Sequence, residues 1–205
     1  TAIGGKGLFT RELEIALLNG SVDCCVHSLK DLPTESPDGL EIIAQLERED
    51  PRDALVLNVV TEADSLATLP AGCRVGTSSI RRRAQLLAVR PDIEVVELRG
   101  NVPTRLRKID DGQVHAAILA AAGLIRLGAK HRITEYLQPP AWLPAAGQGA
   151  IAIQMRTDDA DMRALLEPLD HTPTSIATTA ERGFLAGLGG GCQVPMGAVC
   201  QVVGE

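Results

Sequence analysis

The sequence predicts an α/β protein with two hinged lobes and the start of a smaller α+β third domain. Short apolar segments typical of strands alternate with amphipathic segments typical of helices along most of the 205 residues. Two irregular segments, the charged residues 47–53 and the residues 144–149, indicate that the chain leaves a first lobe and later returns to it. Only 2% of the residues are aromatic, so Ala, Leu, Val and Ile must form the core.

One helix and three strands are expected in the first lobe. A helix over 9–18 would place Leu13 and Leu17 on one apolar face, and the glycines of 4–7 are expected to form a loop before it. The strands are short apolar segments bounded by polar or turn-forming residues, predicted at 21–27, 40–46 and 150–155. The predicted first domain therefore comprises residues 1–49 and 150–168.

The second lobe shows the clearest alternation of strands and helices. Strands are predicted at 54–60, 74–76, 93–98 and 114–119. Helices are predicted at 79–89, 99–109 (after a short loop) and 121–127. Such alternation predicts a parallel or mixed sheet covered on both faces, in a domain over 53–146. A helix at 175–188 and a strand at 198–203 begin the predicted third domain, 172–205.

Composition and charge exclude several classes of function. The net charge is −6, and the chain lacks the aromatic residues on which single-stranded nucleic acid would stack, so no nucleic-acid partner is expected. No run of about 18 apolar residues is present, which predicts no membrane span. Five cysteines without a CxxC pair indicate reduced thiols and a cytoplasmic protein, and four scattered histidines predict no metal site.

Arginines are concentrated in one part of this acidic chain. Between Arg74 and Arg107 there are eight arginines and only three acidic residues, a local excess of five positive charges. Residues 76–82 and 99–105 both have a strand end, small residues and a helix start with arginines, an arrangement that attracts anions. A capped helix with a solvated basic face is the alternative for residues 76–82 taken alone. Together, the two segments favour a ligand rich in carboxylates or phosphates.

Two further polar segments carry candidate chemistry. Residues 189–197 place Cys192 on a loop rich in glycine and proline, where a bulky partner can approach the thiol; the alternative is a turn with a small, buried cysteine. Residues 27–31 place Lys30 and Asp31 after a strand. They form either a weak surface pair or an anion contact beside a carboxylate that stabilises developing positive charge. Lys6, in its glycine-rich segment, is a further candidate anion contact.

Seven segments that follow one another in order give the sequence a resemblance to a known family. They are residues 4–9 (GGKGLF), 27–33 (HSLKDLP), 48–53 (REDPRD), 76–82 (GTSSIRR), 98–102 (LRGNV), 143–150 (LPAAGQGA) and 190–195 (GGCQVP). Together they closely resemble the porphobilinogen deaminase (hydroxymethylbilane synthase) family of tetrapyrrole biosynthesis, over essentially the whole chain.

The resemblance implies a reaction and a covalent cofactor. Family members join four porphobilinogen molecules head to tail with loss of ammonia, then release linear hydroxymethylbilane by hydrolysis. The chain grows on a dipyrromethane cofactor held by a thioether, here to Cys192. Asp31 matches the catalytic aspartate, which would stabilise a cationic intermediate and move protons.

The same resemblance implies which residues bind the carboxylate arms of the pyrroles. Cofactor contacts are expected from Ser28, Lys30, Asp31, Thr77, Ser79, Arg81, Arg82, Arg99 and Gly100. Substrate contacts are expected from Lys6, Arg99, Arg105, Arg126 and Gln148. The family fold has three domains, the first two resembling periplasmic binding lobes, and a monomer is expected.

Two alternatives remain at this point. A non-catalytic anion-binding module of transport or sensing could share the two lobes and the arginines, but it has no need of both Asp31 and Cys192. The second alternative is an inactive truncation product or a partial gene record. The chain is expected to be a fragment that lacks the family's N-terminal segment and most of the third domain, because it starts in a glycine-rich segment and ends in a predicted strand.

Overall fold

The mixed α/β class is confirmed by the structure, a computed structural model that describes residues 5–189 and 194–203. The chain divides into two compact units. Unit 1 comprises Thr1–Glu49, Ala146–Cys192 and Ala198–Glu205, and unit 2 comprises Asp50–Ala145 and Gln193–Gly197. Two of the boundaries fall inside the predicted crossings 47–53 and 144–149. The helix predicted to open a third domain belongs to unit 1 here, and the three-domain division stays a prediction.

Eight strands and six α-helices are assigned in the described residues. The strands are β1 Cys24–Ser28, β2 Leu40–Gln45, β3 Asp53–Leu57, β4 Arg74–Gly76, β5 Glu94–Val96, β6 Ala116–Ala120, β7 Glu135–Leu137 and β8 Ile151–Arg156. The helices are α1 Gly5–Leu18, α2 Ile80–Val89, α3 Val102–Asp110, α4 Ala121–Arg126, α5 Ala160–Leu166 and α6 Thr172–Gly187. A single 3-10 turn, Leu29–Asp31, follows β1 directly.

Unit 1 is built on a three-stranded antiparallel sheet in the order β1-β8-β2. The side chains of Leu17, Cys25 and Leu40 form one apolar cluster of this unit. A second cluster contains Leu29 and Ala152, and it lies at the end of β1. The turn after β1 therefore starts from a paired strand and is anchored by the buried side chain of Leu29.

Unit 2 contains a five-stranded mixed sheet in the order β5-β4-β6-β3-β7. β4 is parallel to β5 and β6, whereas β3 is antiparallel to β6 and β7. Consecutive residues of β3, Leu55 and Val56, belong to two different apolar clusters, so both faces of the sheet are covered, as predicted. Because β4 and β5 are parallel neighbours, the loops that follow them lie at one edge of this sheet.

The structure corrects the sequence-based elements in three places. Residues 198–203 were predicted as a strand, but they form none; the backbone N–H of Cys200 donates to a Glu181 carboxylate instead of to a strand. α1 begins at Gly5, so the expected loop at 4–7 is largely helical. β7 and α5 were not predicted: β7 has only three residues and depends on pairing with β3, and α5 begins at its Asp159 cap.

Candidate active site

The turn after β1 positions three of the predicted site residues in unit 1. Leu29 is fully buried, and its backbone N–H donates to the carbonyl of Ala150 at 3.1 Å. Ser28 is exposed, whereas Lys30 and Asp31 are half-buried. The buried side chain of Leu29 thus lies between polar side chains. Because Leu29 is anchored in the core, it fixes where Ser28 and Lys30 lie.

Gln148 is brought to the same turn from a distant part of the chain. Its side chain is only 1% exposed, and its Oε1 accepts a hydrogen bond of 3.1 Å from Lys30 Nζ. Gly149 has φ +91°, and a Cβ there would lie 2.3 Å from the carbonyl oxygen of Glu49. Only glycine fits this loop. The structure therefore brings together Ser28, Lys30, Asp31 and Gln148.

A buried ion pair of unit 1 holds the loop that carries Gln148. Arg48 Nη1 lies 2.7 Å from Glu181 Oε1, and Arg48 Nε donates to the backbone carbonyl of Gln148 at 2.9 Å. Glu181 is fully buried on α6, and its Oε2 accepts from the backbone N–H of Gly147 at 2.7 Å. Glu181 was not predicted as a site residue, because its neighbours in sequence give no sign that it is buried.

The loop after β4 carries the predicted hydroxyl groups of unit 2. Ser79 caps α2 by accepting from the backbone N–H of Arg82, and its own N–H donates to Thr77 Oγ1 at 3.2 Å. Ser78 Oγ donates to the carbonyl of Leu98 at 2.7 Å, which joins this loop to the one that follows β5. The two loops predicted to face one ligand are thus in direct contact.

The guanidinium groups of Arg81 and Arg82 both bind the carboxylate of Asp53. Arg81 Nη1 and Arg82 Nη2 each lie 2.7 Å from an Asp53 oxygen, and the indole N–H of Trp142 donates to the same carboxylate at 2.8 Å. Arg81 and Arg82 are only 5% and 6% exposed. Their predicted contacts with a cofactor therefore stay predictions, because here the two buried cations are held by an internal carboxylate.

We call Asp53, Arg81 and Arg82 the Asp53 cluster. Electrostatic interactions within this cluster explain how the buried carboxylate of Asp53 remains ionised. Burial acts to raise the pKa of Asp53, but the charges and hydrogen bonds of the two guanidinium groups outweigh it and hold the pKa well below its usual range. Two cations on one anion leave the cluster with a net charge of about +1.

The remaining predicted arginines are more exposed. Arg99 is 79% exposed, and its guanidinium pairs with Glu97 at 2.7 Å. The adjacent Gly100 has φ +124°, and a Cβ there would lie 2.8 Å from Thr104 Cγ2. Arg105 is half-buried in α3, and Arg126 is exposed at the end of α4. The predicted residues of unit 2 thus differ widely in exposure.

Two predicted residues are described only in part or not at all. Lys6 lies in the first turn of α1, and nothing is described of its side chain. Cys192 lies outside the described residues.

Comparison with known families agrees with the motif pattern. A family model described as "Porphobilinogen deaminase, dipyromethane cofactor binding domain" matches residues 1–164, and one described as "Porphobilinogen deaminase, C-terminal domain" matches residues 175–205. The chain belongs to the porphobilinogen deaminase family. The resemblance carried by the seven segments is confirmed, and the matched domain is one that binds a dipyrromethane cofactor.

Relatives of this family cover almost the whole chain. It is 55% identical over 203 residues to a porphobilinogen deaminase of Nitratidesulfovibrio vulgaris (strain Miyazaki F), which is 99% of this chain and 63% of the relative. It is 58% identical over 196 residues to that of Chromobacterium violaceum, which is 96% of this chain and 62% of the relative. The chain thus spans somewhat less than two thirds of the length of these relatives.

The solved structures to which the chain is similar are more distant in sequence. A putative methionine-binding lipoprotein from Bacillus subtilis has a TM-score of 0.49 and 14% identity, covering 81% of this chain and 77% of that one. A periplasmic substrate-binding protein of an ABC transporter from Coxiella burnetii has a TM-score of 0.49 and 17% identity, covering 82% of this chain and 79% of that one.

Among the described residues, no helix has the length and apolarity to cross a membrane.

Proposed function

We propose that the protein is a hydroxymethylbilane synthase, a transferase that joins four porphobilinogen molecules head to tail with loss of ammonia and then releases the linear product by hydrolysis. The observation that carries the proposal is the family match over residues 1–164. The turn at 28–31, with Gln148 beside it, supports it, because this turn holds a carboxylate and an ammonium group where the family motif expects them.

The chemistry of the donor set fits a dipyrromethane cofactor. Its pyrrole rings carry carboxylate arms, which need cationic and hydroxyl donors. The loops after β4 and β5 supply the hydroxyl of Ser79 and the exposed guanidinium of Arg99, beside a cluster with an excess positive charge. Bound by a thioether to Cys192, the cofactor would supply the primer to which substrate units are added.

Asp31 is the residue that we assign to the reaction itself. The loss of ammonia leaves positive charge on the substrate, and a fixed carboxylate stabilises that charge as it develops. The same carboxylate can accept a hydrogen bond from a pyrrole N–H and take up or release a proton. Lys30 and Gln148 would then bind substrate or cofactor carboxylates beside it, with Lys6, Arg105 and Arg126 as further proposed substrate contacts.

The thiols of the chain support a protein of a reducing compartment. Cys24, Cys25, Cys73 and Cys200 are all free, and none of these four forms a disulfide. We therefore propose a cytoplasmic enzyme. A monomer is also part of the proposal, and it rests on the family alone.

The replacement Asp31→Asn tests this assignment in the full-length protein. We expect the rate of hydroxymethylbilane formation to fall at least about a hundredfold, because an amide cannot neutralise the developing charge. The control is Asp38→Asn, an exposed aspartate of the same unit, which should keep the parental rate. Porphobilinogen binding without any turnover by the parent would contradict the proposal and favour an anion-binding module.

A further inference from the structure

Helix α6 holds both loops of the unit 1 site through two consecutive side chains. Arg182 donates to three successive backbone carbonyls just after Asp31: Nη1 to Leu32 at 3.4 Å, and Nη2 to Pro33 and to Thr34, the latter at 3.2 Å. All three of these acceptors are backbone groups rather than side chains. The guanidinium thus restrains the C-terminal side of the turn that presents Asp31.

Glu181, the preceding residue, restrains the other loop. Its Oε2 accepts from the backbone N–H of Gly147, and its ion pair with Arg48 orients the guanidinium that donates to the Gln148 carbonyl. The same carboxylate also accepts a hydrogen bond of 2.8 Å, at Oε1, from the backbone N–H of Cys200. The backbone N–H of Gly147 is therefore held by this buried carboxylate directly, and the carbonyl of Gln148 is held by it through Arg48.

We propose that Glu181 and Arg182 are positioning residues: Arg182 fixes the turn that carries Lys30 and Asp31, and Glu181 fixes the loop that carries Gln148. The inference rests on the proposed function, in which these loops bind and convert porphobilinogen. The helix that holds them ends at Gly187, five residues before the proposed cofactor cysteine.

Arg182→Met in the full-length holoenzyme tests the first half of the proposal. The variant keeps most of the aliphatic stem but removes the hydrogen bonds to the carbonyls of residues 32–34, so Asp31 loses part of its restraint. We expect kcat to fall about tenfold with KM nearly unchanged, because a small displacement of a reacting group costs rate more than binding. Cofactor loading, measured by intact mass, should stay complete.

A matched control exists in unit 2. Arg90 donates to three backbone carbonyls of another loop, those of Leu66 (2.7 Å), Ala67 (3.1 Å) and Leu69 (2.7 Å). Arg90→Met removes the same kind of clasp, and we expect it to lower the melting temperature by a similar few degrees with kcat unchanged. An equal loss of kcat in both variants would show general destabilisation and overturn the positioning role.

A second readout does not depend on turnover. The backbone N–H of Leu32 donates to the carbonyl of Leu29 at 3.1 Å, so its hydrogen exchange reports on closure of the turn. We expect this amide to exchange about tenfold faster in Arg182→Met and at the parental rate in Arg90→Met. Unchanged exchange in Arg182→Met would overturn the inference; a parent without synthase activity but with faster exchange in the variant would overturn the proposed function alone.

Glu181→Gln tests the second half. The amide still accepts from Gly147 but removes the counter-charge of Arg48, so the Gln148 loop should loosen and KM for porphobilinogen should rise several-fold. If this variant does not fold, Arg48→Lys serves instead, since it keeps the charge pair but loses the Nε donor to Gln148. A parental KM in Glu181→Gln would overturn the role of Glu181, and a parental KM in Arg48→Lys would overturn the link from Glu181 through Arg48 to the Gln148 carbonyl.

Discussion

At the scale of single residues, the Asp53 cluster is the strongest electrostatic feature of unit 2. A buried carboxylate with two guanidinium groups and an indole N–H is satisfied internally, so its function in this arrangement is to hold Arg81 and Arg82 in place. Replacing Asp53 by Asn would remove the buried negative charge that both guanidinium groups contact. Such a change lowers the free energy of unfolding far more than breaking an exposed ion pair does.

Asp53→Asn should therefore lower the free energy of unfolding by about 3–5 kcal/mol in urea titrations at neutral pH. Asp110→Asn is the matched control in the same unit: its partner Arg132 is partly exposed, and the expected loss is below about 1 kcal/mol. A loss for Asp53→Asn no greater than that of the control would contradict this account of the cluster.

The lowered pKa of Asp53 adds a pH signature to the same variant. Since the carboxylate titrates at lower pH in the folded protein than in the unfolded chain, its stabilisation is complete above about pH 4 and is lost as pH falls toward the lowered pKa. The unfolding free energy of the parent should therefore fall below pH 4. In Asp53→Asn this part of the slope should be missing.

At the scale of elements, the loop before β8 depends on glycines whose conformations other residues do not adopt easily. Gly149 combines φ +91° with a backbone oxygen 2.3 Å from where a Cβ would lie. Backbone cannot move aside as a flexible side chain can. The position of Gln148 beside Lys30 therefore depends on the absence of a side chain at the next residue.

Gly149→Ala should lower the unfolding free energy by more than about 2 kcal/mol, since strain and a clash add together. Gly20 provides the control in the same unit: it has φ +73° with nothing within 4 Å of an added Cβ, so Gly20→Ala should cost only about 1 kcal/mol. Equal losses of unfolding free energy in the two variants, measured by urea unfolding, would show that the close contact with the Glu49 carbonyl does not destabilise Gly149→Ala.

The elements also show what a single sequence can and cannot predict. Strands such as β4 and helices such as α2 follow from apolar periodicity and a serine cap, and both lie where they were expected. β7 escaped prediction because three residues carry no periodicity, and its existence depends on pairing with β3. Residues 198–203 have strand-like composition but no strand partner among the described residues.

The candidate site shows the same boundary between local and long-range information. The turn at 28–31 was predicted as a polar segment after a strand, and its motif pointed to Asp31. The contact of Lys30 with Gln148 joins residues 118 positions apart, and that of Arg48 with Glu181 joins residues 133 positions apart. No pattern in a single sequence predicts either pairing. Likewise, no pattern around Arg81 and Arg82 predicts that Asp53 binds them.

At the scale of the whole molecule, the chain is divided into two compact units, each with its own sheet and core. Unit 1 carries the turn with Asp31, and unit 2 carries the two loops whose side chains are predicted to bind anions. The family match assigns residues 1–164 to a cofactor-binding domain. We therefore propose that a covalently bound dipyrromethane serves as the primer of a synthase.

The intact mass of the full-length protein beside its Cys192→Ser variant tests that claim most directly. The account predicts a covalent increment of the size of a dipyrromethane on the parent and none on the variant. A folded parent that carries no adduct, even after incubation with porphobilinogen, would contradict it.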